Sequence, residues 1–206
     1  MKKIFCCLIL MLFSACFNKE NVKEKYDFSL LGPDNKLYSL KNFQGENLLI
    51  YFGYTLCADV CPTSMAIASQ AIKELNKNDI KIIFISLDPK RDNADDTTEF
   101  VQYFYKNSIA LIPKNDREIV NLAKNYGVKY GYIYQDSIND GNGYELEKND
   151  KIQVEQFYKN NDNENYTVAH SSSFYIFDKN GEYKGEISNL TLSNVKKKIT
   201  EFLDKN

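Results

Sequence analysis

The chain has little of what marks a nucleic-acid-binding, membrane-spanning or disulfide-stapled protein. Its 26 Lys and Arg nearly balance its 28 Asp and Glu, for a formal net charge of -2, and both signs are scattered along the chain. Phosphates would find no long basic stripe to neutralise them, so nucleic acid is not an expected partner. Apolar runs are short. The stretch Ile4 to Phe13 falls well below the roughly 20 apolar residues that a spanning helix needs, so a transmembrane anchor is not expected. There are only five cysteines, four prolines and one histidine, and no internal repeat. Cys6, Cys7 and Cys16 belong to the N-terminal segment, which leaves Cys57 and Cys61, too few for a disulfide framework. What is present is a composition 43% hydrophobic and 14% aromatic with 26% charged residues, which can bury a core. At 206 residues the chain suits one domain plus a short targeting segment.

That segment is the N-terminus. Lys2 and Lys3 precede the apolar run, and the small residues Ser14 and Ala15 close it before Cys16, the layout of a signal peptide. Leu12-Phe13-Ser14-Ala15-Cys16 resembles a bacterial lipobox, with Phe13 where Leu is usual. The resemblance implies acylation at Cys16, a membrane-anchored lipoprotein and an extracytoplasmic domain at the periplasm or cell surface. The expected organisation is therefore a lipoprotein signal peptide over 1–15, a polar tether over 16–25 and a single domain over 26–206.

Within the domain, Phe28 to Tyr38 reads as an N-terminal hairpin around Gly32-Pro33-Asp34-Asn35. Leu48 to Phe52 is a continuous apolar run, as a parallel strand covered on both faces requires, and Gly53 ends it. Cys61, Met65, Ala68, Ile72 and Leu75 recur at helical spacing, with Pro62 suited to the first turn. Ile82 to Ile85 predicts a second strand and Ala94 to Lys106 a helix; Ile109 to Ile112 and Asp116 to Tyr126 repeat the alternation, with Gly127 as a stop. Strand and helix in alternation predict a parallel sheet. The Asn-, Asp- and Gly-rich stretch Gln135 to Asn165 reads as an exposed excursion. Ser173 to Phe177, a turn at Asp178-Lys179-Asn180-Gly181 and Glu182 to Ile187 form an antiparallel hairpin, and Leu192 to Leu203 a closing amphipathic helix. The predicted class is α/β. The order is thioredoxin-like, a central mixed sheet flanked by helices, with an N-terminal hairpin and a long polar insertion before the last hairpin.

The chemistry centres on Cys57 and Cys61, which lie between the first core strand and a helix N-terminus. The helix dipole and its unpaired N–H groups favour a charged sulfur there, so a lowered thiol pKa is expected. Thiolates are soft ligands for Cu(I) and also the nucleophiles of thiol-disulfide exchange, and the pair alone does not choose. His170 bears on the choice. It precedes the strand Ser173 to Phe177, where thioredoxin-like oxidoreductases carry a cis-proline, and no proline stands there: the four are Pro33, Pro62, Pro89 and Pro113. Two sulfurs and one imidazole nitrogen suit three-coordinate Cu(I), and Cu(II) with a further ligand. Zinc fits less well, because its structural sites use four protein ligands. Asp59 reads as a solvated loop acid, and Asp88 and Asp92 as residues that shape a turn and cap the next helix.

Four blocks together resemble the Sco/SenC family of copper-binding assembly proteins: Tyr51 to Thr55, Cys57 to Pro62 with Asp59, Ser86 to Asp92, and Ala169-His170-Ser171 before a strand. The resemblance spans roughly Tyr26 to Leu203. It implies a thioredoxin-like fold, copper held by Cys57, Cys61 and His170, and delivery to, or reduction of the cysteines of, a respiratory oxidase copper site. A respiratory oxidase subunit or another copper or thiol client is the implied partner. Leu56 and Ala58 stand where many relatives have His and Pro around the first cysteine. Two rival readings stand beside this one. In the first, Cys57 and Cys61 serve as the redox pair of a thiol-disulfide oxidoreductase or sensor; in the second, a lipoprotein binds partners through its long loop.

Overall fold

In the computed structural model, residues 25–134 and 166–204 are described. The signal peptide, most of the tether and the excursion over 135–165 lie outside them. The N-terminal hairpin pairs β1 (Leu30–Leu31) with β2 (Leu37–Tyr38) antiparallel. Its turn places Asp34 at φ 57° and Asn35 at φ 56°, the left-handed region that Asx residues tolerate.

Every residue of β3 (Asn47–Gly53) is buried, the outcome its unbroken apolar run demands. It pairs in parallel with β4 (Ile80–Ser86), which in turn pairs in parallel with β5 (Ser108–Leu111). On its other edge β3 meets β8 (Phe174–Phe177) antiparallel, and β8 meets β9 (Tyr183–Ile187) antiparallel. The sheet order β5-β4-β3-β8-β9 is the thioredoxin-like mixed sheet expected from the sequence. Helix α1 (Val60–Leu75) follows β3, α2 (Ala94–Phe104) follows β4, α3 (Asp116–Tyr126) follows β5, and α4 (Leu192–Leu203) closes the chain.

Successive residues of a strand face opposite sides of the sheet. Tyr51 points to α1, its hydroxyl donating to Ser64 Oγ at 3.2 Å, and Phe52 packs edge-on against Tyr126 of α3 at 5.1 Å. The two faces of β3 are therefore covered by different helices. Cys61, Met65, Ala68 and Ile72 form the buried stripe of α1, while Leu75 at its end is half-buried. Gly127 adopts φ 77° as the left-handed cap of α3, the stop its position predicts. Among the described residues no helix is long and apolar enough to cross a membrane.

Two elements escaped the sequence. Strand β6 (Tyr130–Tyr134) and β7 (Tyr166–His170) pair antiparallel, Tyr130 opposite His170 and Tyr134 opposite Tyr166. Residues 135–165 thus fall, in sequence, between the two strands of a ribbon, and His170 ends β7 rather than sitting in a loop before β8. The signal was present in Tyr130-Gly-Tyr-Ile-Tyr134 and Tyr166-Thr-Val-Ala-His170, both rich in aromatic and β-branched residues.

Candidate metal centre

Where β3 ends at Gly53 the chain turns, with the Cys57 N–H donating to the Tyr54 carbonyl at 3.3 Å. Asp59 takes the N-cap position of α1, exposed and with no side-chain cap bond. Pro62 falls in the first turn, where a missing N–H leaves no intrahelical bond unmade. The geometry puts Cys57 at the half-buried lip and Cys61 inside, fully buried. Both are free thiols, and the Cys61 N–H, one of the unpaired amides of the helix start, points to Cys57 Sγ at 3.3 Å.

His170 arrives from the opposite side on β7. Its Nδ1 lies 3.1 Å from the Ser171 carbonyl. A carbonyl only accepts, so Nδ1 carries the proton and Nε2 keeps its lone pair. That Nε2 faces Cys61 Sγ at 3.4 Å. The rings of Tyr51 and Tyr54 stand edge-on to the imidazole, with centroids at 6.2 Å and 6.1 Å, and wall it in. One loop, one helix turn and one ribbon so converge: the ligand atoms of Cys57, Cys61 and His170 all lie within 4.8 Å of one another. Sequence reasoning named all three and also placed the imidazole beside the thiols. It missed Ser171, which fixes the tautomer; its contribution is a backbone carbonyl, and no residue type signals that.

The electrostatics correct one expectation. The helix N-terminus does not lower the Cys61 pKa: burial pushes this thiol well above the ordinary range, and the neighbouring Cys57 adds to the rise against the help of a Tyr54 backbone bond. Desolvation of a fully enclosed sulfur outweighs the dipole. Burial also lowers the His170 pKa, the Ser171 carbonyl opposing it, so the imidazole is neutral at pH 7. A neutral imidazole is the form that ligates.

The loop from Ser86 to Asp92 departs from its expected role as well. Asp92 does not cap α2; Asn93 does, accepting from the Asp96 N–H at 2.9 Å. The Asp92 carboxylate is buried and accepts from the Thr55 N–H at 3.2 Å, from the Thr55 hydroxyl and from Ser86 Oγ at 2.6 Å. Burial raises its pKa, and these donors pull the other way. Thr55 stands two residues before Cys57, so a carboxylate far along the chain holds the cysteine loop in place. Asp88, fully buried, pairs with Arg91 at 2.5 Å. Charged residues bunched beside Pro89 directly after an apolar strand were the available signal; their partners were not.

Several known proteins are similar to this chain. The family model described as SCO1/SenC matches residues 18–153. A SCO2-like protein of Rickettsia typhi is 31% identical over 187 residues, covering 90% of this chain and 78% of the relative. Among solved structures, Arabidopsis thaliana ScoI with copper bound superposes with a TM-score of 0.67 at 24% identity, covering 87% of this chain and 98% of that one. A disulfide-switch structure of BsSco, described as a member of the Sco family of cytochrome c oxidase assembly proteins, gives a TM-score of 0.55 at 21% identity, over 87% and 93% of the two chains. These superpositions establish the fold.

Proposed function

The chain belongs to the SCO1/SenC family, and from that premise we propose that it is an extracytoplasmic copper-binding metallochaperone whose ligands are Cys57, Cys61 and His170. The observation that carries the proposal is the convergence of two sulfurs and one imidazole nitrogen within 4.8 Å. Soft sulfur donors with one nitrogen suit Cu(I), and three protein donors fall short of a structural zinc site. Copper is cargo here. The protein's part is to hold two cysteine sulfurs and a neutral imidazole ready. The buried Cys61 thiol keeps its proton until the ion arrives and gives it up on binding, so loading releases protons. His170 needs no such step, because the Ser171 carbonyl already holds its proton on Nδ1. A competitive Cu(I) titration of the reduced protein tests this: one tightly held ion per chain is expected, and absence of tight binding overturns the assignment.

The client is a respiratory oxidase subunit or another copper or thiol protein. Support comes from the family and from the oxidase-assembly description carried by BsSco. A second reading, thiol-disulfide exchange or redox sensing by the same pair, is favoured by the approach of the Cys61 amide to Cys57 Sγ in a half-open site. The sequence supports signal peptide 1–15, acyl anchor at Cys16, tether 16–25 and domain 26–206. Mass spectrometry of membrane-extracted protein should find Cys16 acylated at the mature N-terminus. A water-soluble protein that begins elsewhere removes the anchor.

A further inference from the structure

The ribbon that carries His170 forms a two-stranded sheet of its own, separate from the five-stranded sheet. Besides the burial of Tyr130, Tyr132 and Val168 in the core, it is held by polar contacts to the loop after β4. Tyr132 donates its hydroxyl to the Leu87 carbonyl at 2.7 Å, and Tyr166 donates to Asp88 Oδ1 at 2.6 Å. Arg91 gives Nε to Asp88 Oδ2 at 2.5 Å and Nη1 to the Tyr166 carbonyl at 2.9 Å, with its guanidinium 3.7 Å from the centroid of the Tyr166 ring. The same guanidinium lies 5.9 Å from the Tyr54 ring, which itself borders His170. At its other end the loop holds Thr55 through Asp92. Both halves of the donor set therefore hang from one short loop.

We propose that the Asp88–Arg91 pair is a positioning clasp that sets where His170 stands against the cysteines, so that the nitrogen donor depends on it and the thiol pair does not. The role in copper binding rests on the ligand assignment above. The physical case has three parts. A carboxylate as buried as Asp88 is sustained by an ion pair and hydrogen bonds together, and here they come from Arg91 and Tyr166. A planar guanidinium serves carboxylate, carbonyl and ring face at once, which an ammonium does not. Tyr166 and His170 are the two ends of one paired strand, so a shift at the clasp is carried to the imidazole.

The test uses the full chain with Arg91→Lys, which keeps the charge and loses the fork, and Tyr166→Phe, which keeps the ring and loses the donation to Asp88. The unmutated protein and His170→Ala are run beside them. His170 is the only histidine, so its imidazole nitrogens give an unambiguous NMR signature without metal. In the unmutated apo protein the Nδ1-protonated tautomer is expected. In Arg91→Lys the two nitrogen shifts should move toward tautomer averaging, and Tyr166→Phe should move them the same way by less. With Cu(II) added, Arg91→Lys should lose about 10- to 100-fold in affinity and weaken the nitrogen coupling seen by electron paramagnetic resonance. Disulfide formation between Cys57 and Cys61 should be unchanged. Imidazole shifts that stay put in the folded variants, Tyr166→Phe included, overturn the clasp whatever happens to the melting temperature. If the unmutated protein binds no copper while the imidazole shifts still respond, the ligand assignment fails and the clasp survives only as a support for His170.

Discussion

His170→Ala should strip the site of most of its Cu(II) affinity while Cys57 and Cys61 go on forming and breaking a disulfide. The two chemistries need different numbers of groups. Forming a disulfide needs only the two thiols, which together give up two electrons and two protons to a disulfide oxidant, and a reductant returns them to the disulfide. Copper as proposed uses three donors, and Cu(II), harder than Cu(I), leans more on nitrogen. The imidazole reaches the sulfurs through Nε2, 3.4 Å from Cys61 Sγ, and takes no part in pairing Cys57 with Cys61. The Cu(II)-thiolate charge-transfer band is the readout, with Cu(I) retained on two thiolates at lower affinity. Cys57→Ser and Cys61→Ser, by contrast, should each abolish both properties. An unchanged Cu(II) spectrum and affinity in His170→Ala would remove the histidine from the ligand set. If the unmutated protein binds no copper yet its cysteines turn over with a reductant and a disulfide substrate, the exchange reading replaces the chaperone one.

Gly53→Ala is the second substitution with a large expected effect, and it replaces no ligand. A Cβ at Gly53 would lie 2.8 Å from Cys61 Sγ and 2.9 Å from the Phe84 ring, closer than real contacts allow. Phe84 is fully buried in the sheet and has no room to retreat. The thiol side chain must then turn away, or the start of α1 must move off the end of β3. Overpacking of this kind costs about 1–3 kcal/mol, so the urea midpoint should fall. Cu(I) affinity should fall with it, since the displaced sulfur is a proposed ligand. Wild-type stability and wild-type copper affinity together in Gly53→Ala would show that the strand end has slack the packing does not suggest.

Much of the fold could be read directly from residue patterns. The unbroken run Leu48 to Phe52 meant a strand covered twice, and it is buried throughout as β3. The helical stripe from Cys61 to Ile72 lies on the sheet as its spacing required. The candidate site was readable because each ligand sits beside a strong local marker: a core strand and Pro62 for the cysteines, an apolar strand for His170. The ribbon of β6 and β7 was missed because the residues 135–165 separate its halves, and a pairing across such a gap leaves no local pattern. Asp92 was read as a cap for a similar reason. A capping residue is recognised by the helix that follows it, and that helix is capped by the next residue, Asn93.

The sequence by itself determined the α/β order, the thioredoxin-like class and the identity of the two sulfurs and the lone imidazole, because backbone periodicity and side-chain chemistry are local properties. Tertiary structure decided how those groups behave. It buried Cys61 deeply enough for desolvation to overrule the helix dipole. It fixed the histidine tautomer with a backbone carbonyl. It also hung both halves of the site from the loop between Ser86 and Asp92. Burial, tautomer and support depend on which distant atoms come within a few ångströms, and that proximity exists only once the chain has closed on itself.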